Sequence, residues 1–225
     1  MVVYQVYPKK KKSMSGFWGS LSLNTKLISL NVLCFVVFWS LMGAGVLSID
    51  EIAIKPSNIF AGKYLWTFIT SMFMHANFTH LFLNMLSLYF VGSLLEKILG
   101  RKRYLRFYIL AGLFSGLLFV ASSLFIPGDV NTYAVGASGA IFGLIGVLMF
   151  LTPNLPVYIM FIPIPVKLKY AAPAMLVLLW VISLAANIPI GNVAHLGGLF
   201  AGIFYGLILR YKFPRKVGMI QNHFR

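Results

Sequence analysis

Acidic residues are scarce in this sequence, which has four aspartates and glutamates among its 225 residues. Asp50, Glu51 and Asp129 fall in predicted loops, and Glu96 falls near the end of a predicted helix. An aspartyl protease site needs two carboxylates that share one site, and proton-coupled transport commonly relies on acids inside the membrane. The sequence therefore argues against both chemistries. We expect Glu96 to have a structural role, accepting hydrogen bonds or pairing with basic residues.

Cysteine is nearly absent, and motifs for cofactors are missing. Cys34 is the single cysteine, which excludes a disulfide within the chain. The glycine-rich stretches lie inside apolar segments, whereas a phosphate loop lies between a strand and a helix. His75 and His80 are five residues apart, so they do not share a helical face as the histidines of an H-E-x-x-H zinc site do. The sequence predicts no metal and no cofactor.

Charged residues make up only 10% of the chain, whereas 60% of its residues are hydrophobic and its mean hydropathy is +0.87. Soluble domains contain about 45–50% apolar residues, so this composition predicts an integral membrane protein. Apolar runs long enough to cross about 30 Å of hydrocarbon cover residues 26–49, 79–99, 104–126, 135–152, 169–187 and 192–210. We expect an all-α bundle of six transmembrane helices.

Lysine and arginine are abundant, and the formal net charge is +15. These residues alternate with the predicted spans as topology signals do, which argues against nucleic-acid binding. All of the 19 basic residues except Lys55 and Lys63 fall in one alternate set of loops and tails. Because cytoplasmic loops carry the excess of Lys and Arg, both termini are predicted to be cytoplasmic in a multi-pass protein of the cell membrane. The predicted parts are a basic tail over 1–25, a membrane domain over 26–211 and a basic tail over 212–225.

A few polar side chains lie at one predicted depth. In this topology the second, fourth and sixth helices begin at the outer side of the membrane. His80 and Asn84 lie near the start of the second helix, Ser138 near that of the fourth and His195 near that of the sixth. At about 1.5 Å of rise per residue, each lies within roughly 10 Å of the outer end of its helix. A serine beside a histidine is the smallest arrangement for nucleophilic catalysis, because the imidazole can take the hydroxyl proton. The sequence therefore favours a pair formed by Ser138 and His195.

Glycine spacing predicts a close approach of the fourth and sixth helices. The stripes consist of Gly136, Gly139, Gly143 and Gly146 in the fourth helix and of Gly198, Gly202 and Gly206 in the sixth. Glycines at such spacing let two helix backbones pack together in a membrane. Helix packing alone would explain the stripes, but the same packing would also bring Ser138 towards His195.

His80 and Asn84 form a second polar group. They are four residues apart and therefore share a helical face. Two hydrogen-bond donors on a common face suit the stabilisation of an oxyanion. The alternative interpretation is that Asn84 donates a hydrogen bond to a neighbouring helix.

Together these residues resemble the rhomboid family of intramembrane serine proteases. The family's motifs are H-x-x-x-x-H-x-x-x-N, G-x-x-x-E-x-x-x-G, G-x-S-G and A-H-x-x-G. They fall, in that order, on His75, His80 and Asn84; on Gly92, Glu96 and Gly100; on Gly136, Ser138 and Gly139; and on Ala194, His195 and Gly198. The resemblance runs from about Trp66 to Gly206 and implies the compact six-helix rhomboid bundle.

The resemblance implies a role for each of these residues. Ser138 would attack the scissile carbonyl, and His195 would act as general base and then as general acid. Asn84 and His80, with the backbone N–H of Ser138, would form the oxyanion hole. His75 would support the outer loop, and Gly136 and Gly139 would support the serine.

Two positions depart from the family's pattern. Thr67 follows Trp66 where many members have arginine. Phe142 stands where tyrosine is frequent, so this ring can stack on His195 but has no hydroxyl to donate.

The resemblance also implies the substrates, which would be single-span membrane proteins cut within the lipid bilayer near its outer face. One alternative is a non-catalytic member of the superfamily that binds client proteins, although such members usually lack the serine or the histidine. Another is a channel or transporter, which would leave the motifs unexplained. The sequence does not specify an oligomeric state.

Overall fold

The described part of the chain is mostly helical. The computed structural model describes residues 17–126, 128–158, 163–186 and 191–224, so the first 16 residues of the predicted N-terminal tail and the last residue of the predicted fifth span lie outside it. The helices are α1 (Phe17–Ser20), α2 (Leu23–Gly43), α3 (Pro56–Phe60), α4 (Thr67–Thr70), α5 (Phe78–Ser87), α6 (Ser93–Leu99), α7 (Arg101–Ser122), α8 (Ser138–Leu151), α9 (Leu168–Ala186), α10 (Asn192–Lys212) and α11 (Pro214–His223). Two short strands, β1 (Pro156–Val157) and β2 (Val166–Lys167), pair antiparallel.

Five helical segments among the described residues are long and apolar enough to cross a membrane. They are α2, the continuous segment Phe78–Leu99, α7, α9 and α10. A π-helical turn at Leu88–Gly92 joins α5 to α6 within the continuous segment. The prediction of an all-α membrane protein is therefore confirmed, with five candidate spans.

The remaining predicted span, the fourth, over 135–152, is represented by the shorter helix α8. This helix has 14 residues, which gives a length of about 21 Å. It begins at Ser138 because Gly136 adopts a φ of +113°, a conformation that a right-handed helix cannot include. The first span also differs from its prediction over 26–49, since α2 ends at Gly43 and Gly45 has a φ of +70°.

Helix α8 forms the centre of the bundle. Every residue from Gly139 to Leu148 is buried, and α7 and α10 are its main neighbours. The outer helices instead present large apolar side chains on the surface, such as Leu33 of α2 and Val177 of α9. Extensive exposed apolar surface of this kind marks contact with another apolar phase, here the lipid. The helix that begins with Ser138 is therefore surrounded by protein.

Glu96 ties three segments together at the far end of the α5–α6 segment. Its carboxylate accepts hydrogen bonds from the backbone N–H groups of Leu23 (3.0 Å) and Asn24 (2.8 Å). Arg101 lies 3.5 Å from the same carboxylate. The first N–H groups of a helix have no partner within the helix, so Glu96 satisfies two of them at the start of α2. The structural role expected for Glu96 is confirmed.

Asn24 completes this connection from the opposite side. Its amide nitrogen donates to the carbonyl oxygen of Leu88 (2.8 Å) and to the hydroxyl of Ser93 (3.0 Å). Its amide oxygen accepts from the hydroxyl of Tyr104 at 2.6 Å. Because a π-helical turn leaves backbone groups without their usual helical partners, the bond to Leu88 stabilises the turn that begins there.

The predicted C-terminal tail over 212–225 includes a helix that packs on the bundle. Val217 of α11 is buried, and the amide nitrogen of Gln221 donates to the carbonyl oxygen of Phe150 at 3.1 Å. The described part of this tail therefore forms a helix beside the end of α8. An amphipathic sequence with basic residues on one face suits a membrane surface.

Candidate active site

Ser138 and His195 are in hydrogen-bonding contact. The hydroxyl oxygen of Ser138, the first residue of α8, lies 2.7 Å from Nε2 of His195 in the first turn of α10. Ser138 is half-buried and His195 is buried. The hydroxyl donates to Nε2 when the imidazole carries its proton on Nδ1. The pair that the sequence favours is thus brought together across 57 residues of chain.

The imidazole of His195 is held by an aromatic ring on one side. Phe142 lies one turn after Ser138, and its ring centroid is 4.7 Å from that of His195, with an interplanar angle of 24°. Among the described residues, Nδ1 of His195 has no hydrogen-bond partner. Stacking on Phe142 therefore fixes the plane of the imidazole, a task that a carboxylate performs in a Ser-His-Asp triad.

The glycine stripes of α8 and α10 face each other. A side chain at Gly198 would collide with the backbone oxygen of Gly139, and one at Gly202 would lie 2.7 Å from Cα of Gly146. The two backbones are thus in direct contact over two turns below Ser138 and His195. The predicted close approach of these helices is confirmed, and it sets the separation between the hydroxyl and the imidazole.

Ser115 of α7 holds the start of α10 and was not predicted from the sequence. Its hydroxyl donates to the carbonyl oxygen of Ala194 at 2.7 Å, immediately before His195. A side chain at Gly139 would collide with this same hydroxyl. A lone serine in an apolar helix gives no sequence signal for such a contact, because it can equally bond its own helix.

His80 lies beside the serine across the space that Gly136 leaves open. A side chain at Gly136 would begin 2.8 Å from Nε2 of His80 and 3.7 Å from the Ser138 hydroxyl oxygen. Gly136 also has a φ of +113°, which L side chains rarely adopt. The backbone N–H of Gly136 donates to the carbonyl oxygen of Ser71 at 2.8 Å. Glycine at this position therefore allows the imidazole of His80 and the hydroxyl to approach each other.

Asn84 and His75 both contact His80. Asn84 is buried, and its amide nitrogen donates to the carbonyl oxygen of His80 at 2.8 Å. The amide group has a second proton that takes no part in this hydrogen bond. The ring of His75 lies 5.2 Å from that of His80 in an edge-to-face contact. Burial and, to a smaller extent, the neighbouring His80 together lower the pKa of His75 to about 4. His75 is therefore neutral at pH 7.

The loop before Ser138 is attached to the segment that follows α2. Ile54 and Ala134 exchange two backbone hydrogen bonds, of 3.1 and 2.8 Å. Asp50 accepts a hydrogen bond from the hydroxyl of Tyr133 at 3.0 Å, and Lys55 lies 3.5 Å from the same carboxylate. Burial acts to raise the pKa of Asp50, but its hydrogen bonds and Lys55 outweigh that effect and lower the pKa. These contacts fix the loop that carries Gly136.

The site contains the groups that acyl transfer requires. It has a hydroxyl beside a base, and the backbone N–H of Ser138 lies at a helix start, where such groups lack helical partners. His80 and Asn84 add possible donors for a developing negative charge. The arrangement is suited to nucleophilic attack on a carbonyl carbon.

This chain is similar to one family model and to several known proteins. A family model described as Rhomboid domain matches residues 62–212. Similar proteins include RHOMBOID-like protein 1 of Arabidopsis thaliana, 33% identical over 75% of this chain and 41% of its own length. The putative rhomboid protease YdcA of Bacillus subtilis is 37% identical over 38% of this chain and 41% of its own length. Rhomboid protease GluP of the same organism is 29% identical over 67% of this chain and 27% of its own length.

The Arabidopsis thaliana relatives are longer than the present chain. The alignments to the Arabidopsis thaliana proteins RHOMBOID-like protein 1, 5 and 6 cover 41%, 52% and 48% of their lengths. This chain thus spans about half of the length of these curated relatives. The match to the family model, over residues 62–212, includes both Ser138 and His195.

Proposed function

We propose that this chain, which belongs to the rhomboid family, is a serine endopeptidase that cuts transmembrane segments of other membrane proteins near the outer face of the bilayer. The observation that carries the proposal is the distance of 2.7 Å between the Ser138 hydroxyl and Nε2 of His195. The names of two relatives, putative rhomboid protease YdcA and rhomboid protease GluP, agree with it.

In the proposed reaction, Ser138 is the nucleophile and His195 moves its proton. Nε2 of His195 takes the hydroxyl proton while the serine oxygen forms a bond to the scissile carbonyl carbon. The tetrahedral intermediate collapses when the protonated imidazole gives its proton to the leaving amine, so the carbon–nitrogen bond breaks and an acyl-enzyme remains. A water molecule then attacks the ester, again with His195 as base, and releases the second product and free Ser138.

The oxyanion is proposed to lie beside His80. The backbone N–H of Ser138, the imidazole of His80 and the amide of Asn84 are the donors that surround this position. Each donor of such a hole typically contributes about 10²–10³ in rate. His75 has a positioning role, because its ring packs against that of His80. Its neutral form adds no positive charge beside His80.

The proposed topology places six spans in the cell membrane, with both termini in the cytoplasm and α8 as the fourth span. This proposal rests on the basic residues, which lie almost entirely in one set of loops and tails. Helix α8 is about 9 Å shorter than a bilayer core of about 30 Å. A short α8 would place Ser138 below the outer surface, where an unwound substrate segment and water can both reach it.

Single-span membrane proteins are the proposed substrates. A regular helix hides its carbonyl groups in internal hydrogen bonds, so a segment must unwind before Ser138 can attack it. Glycine and proline weaken helices, and we therefore expect them near the cut. The enzyme is proposed to need no metal or cofactor, since its own side chains supply the nucleophile, the base and the oxyanion donors.

We expect Ser138 to react with a fluorophosphonate, because this reagent forms a covalent bond to an activated serine. The purified chain in liposomes should be labelled, and Ser138→Ala should remove the label completely. Ser122→Ala is the matched control, since this hydroxyl only bonds the carbonyl of Phe119 in its own helix, and its labelling should equal that of the wild type. Absence of labelling in every lipid composition tested would instead favour the non-catalytic, client-binding alternative.

Replacing Gly136 with alanine should reduce cleavage of a single-span reporter protein by about 10²-fold, the typical result when an oxyanion donor is displaced. The new methyl group would meet the imidazole of His80 and force it away from Ser138. Cleavage rates in liposomes measure the effect.

The control for this variant is Gly128→Ala. Gly128 has a similarly positive φ of +93°, but a side chain there would meet nothing within 4 Å. This variant bears the same kind of backbone strain, and its cleavage rate should stay within about twofold of wild type. Equal losses in both variants would show that backbone strain, and not contact with His80, causes the effect.

A further inference from the structure

A cavity lies at the end of the α5–α6 segment far from Ser138. Its volume is about 630 Å³, and its lining includes Tyr89, Phe90, Ser93, Lys97 and Arg101. Lys97 follows Asn84 by 13 residues along the same helical segment, a distance of about 20 Å. The cavity is therefore separate from the candidate active site.

One wall of this cavity is cationic. Lys97 is exposed, and no side chain within the described ranges forms an ion pair with it. The guanidinium of Arg101 is held by the carbonyl oxygen of Leu21 (3.1 Å) and by Glu96 (3.5 Å), yet its side chain remains 58% exposed. A fixed guanidinium beside a free ammonium is a favourable arrangement for a phosphate group.

The carboxylate of Glu96 also borders the cavity, but its oxygens are already engaged. They accept two backbone N–H groups at the start of α2 and pair with Arg101. The charge of Glu96 is therefore compensated within the protein, whereas the charge of Lys97 is not. The lining as a whole favours an anion.

The other wall is apolar and faces outward. Tyr89 and Phe90 are 59% and 64% exposed, and their rings pack edge to face with centroids 5.2 Å apart. Both belong to the π-helical turn Leu88–Gly92. A soluble anion would make no use of two exposed aromatic rings. An amphiphile would use both walls, because its charged group can lie at Lys97 while its chain follows the rings.

We propose that this cavity binds an anionic phospholipid. The phosphate lies between Lys97 and Arg101, with the hydroxyl of Ser93 nearby, and an acyl chain lies along Tyr89 and Phe90. Basic residues next to membrane helices recognise anionic headgroups in this way. Bound lipid would connect α6 to the start of α7, beside the Glu96 contacts that hold α2.

Native mass spectrometry of the purified full chain tests this proposal. The protein is titrated with dioleoylphosphatidylglycerol, with dioleoylphosphatidylcholine and with glycerol phosphate, and bound molecules are counted. We expect one tight site for the phosphatidylglycerol. In Lys97→Gln this affinity should fall about fivefold, as expected from the loss of one lysine contact.

The matched control is Lys102→Gln, which removes an exposed lysine on the next turn that does not line the cavity. Its affinity for phosphatidylglycerol should change less than twofold. Equal losses in the two variants would overturn the proposal, because general attraction to basic residues would then explain the binding. Equal binding of phosphatidylcholine would also overturn it. Competition by millimolar glycerol phosphate at full strength would assign the site to a soluble phosphate and not to a lipid.

Discussion

Ser138→Ala and His195→Ala should each abolish cleavage of a single-span reporter protein, with losses of roughly 10⁴- to 10⁶-fold. Alanine at 138 removes the oxygen that forms the acyl-enzyme, and alanine at 195 removes the base at 2.7 Å from that oxygen. The two residues act as one unit, so the double variant should lose no more activity than either single variant. Purified protein in liposomes and single-turnover rates provide the measurement.

The controls for the dyad variants remove equivalent groups elsewhere. Ser122→Ala deletes a hydroxyl that bonds within its own helix, and His223→Ala deletes an exposed imidazole in α11. Both should cleave at the wild-type rate. The melting temperature of Ser138→Ala should also stay close to that of the wild type, because this change removes only one half-buried hydroxyl. Cleavage that persists without Ser138 would assign the activity to another site or to a contaminant.

Gly198→Ala should have the second largest effect, on both stability and activity. The added methyl group would meet the backbone oxygen of Gly139 and lie 3.2 Å from the backbone nitrogen of Gly143. Backbone atoms cannot rotate away as a side chain can, so α10 must move away from α8. Overpacking of this kind typically costs about 1–3 kcal/mol. A displacement of about 1 Å between Ser138 and His195 would lower the cleavage rate about 10²-fold.

Thermal unfolding and reporter cleavage test this variant together. Gly218→Ala is the control, because it is the same substitution in a helix where a side chain meets nothing within 4 Å, and neither property should fall. A lower melting temperature with full activity would mean that the helix seam stabilises the fold without setting the Ser138–His195 distance. Unchanged values for both properties would contradict the close packing itself.

The sequence was most informative where one physical property dominates. Hydropathy identified the long helices, since each must satisfy its backbone groups within the membrane. Glycine spacing identified the contact between α8 and α10, since no other residue allows backbones to approach so closely. Together with the distribution of basic residues, which predicts a common depth for Ser138 and His195, these two properties predict that the two residues lie side by side.

Helix ends were predicted less well, because local backbone geometry overrides hydropathy there. The predicted span over 135–152 was too long at its start, where the apolar residues before Ser138 belong to the loop that pairs Ala134 with Ile54. The predicted span over 26–49 was too long at its end, where the chain turns at Gly45. Apolar composition indicates burial or contact with lipid, but it does not distinguish a helix from an extended loop.

Neutral polar residues inside the helices were the other omission. Ser115 and Asn24 form contacts between helices that hold α10 and α2, and the indole of Trp39 donates to the carbonyl oxygen of His75 at 3.1 Å. Each of these three side chains can form hydrogen bonds with many possible partners in an apolar sequence. Only the folded arrangement identifies the carbonyl or side chain that each one reaches.

The central position of α8 also affects the time at which the proposed catalytic pair forms during synthesis. A helix of 14 residues is too short to enter a bilayer readily on its own, and its neighbour α10 is made later. His195 leaves the ribosome 57 residues after Ser138, a delay of about 3 to 11 seconds at typical rates of chain elongation. We expect the nascent chain to be inert during this interval, because Ser138 has no base to take its proton until His195 is made.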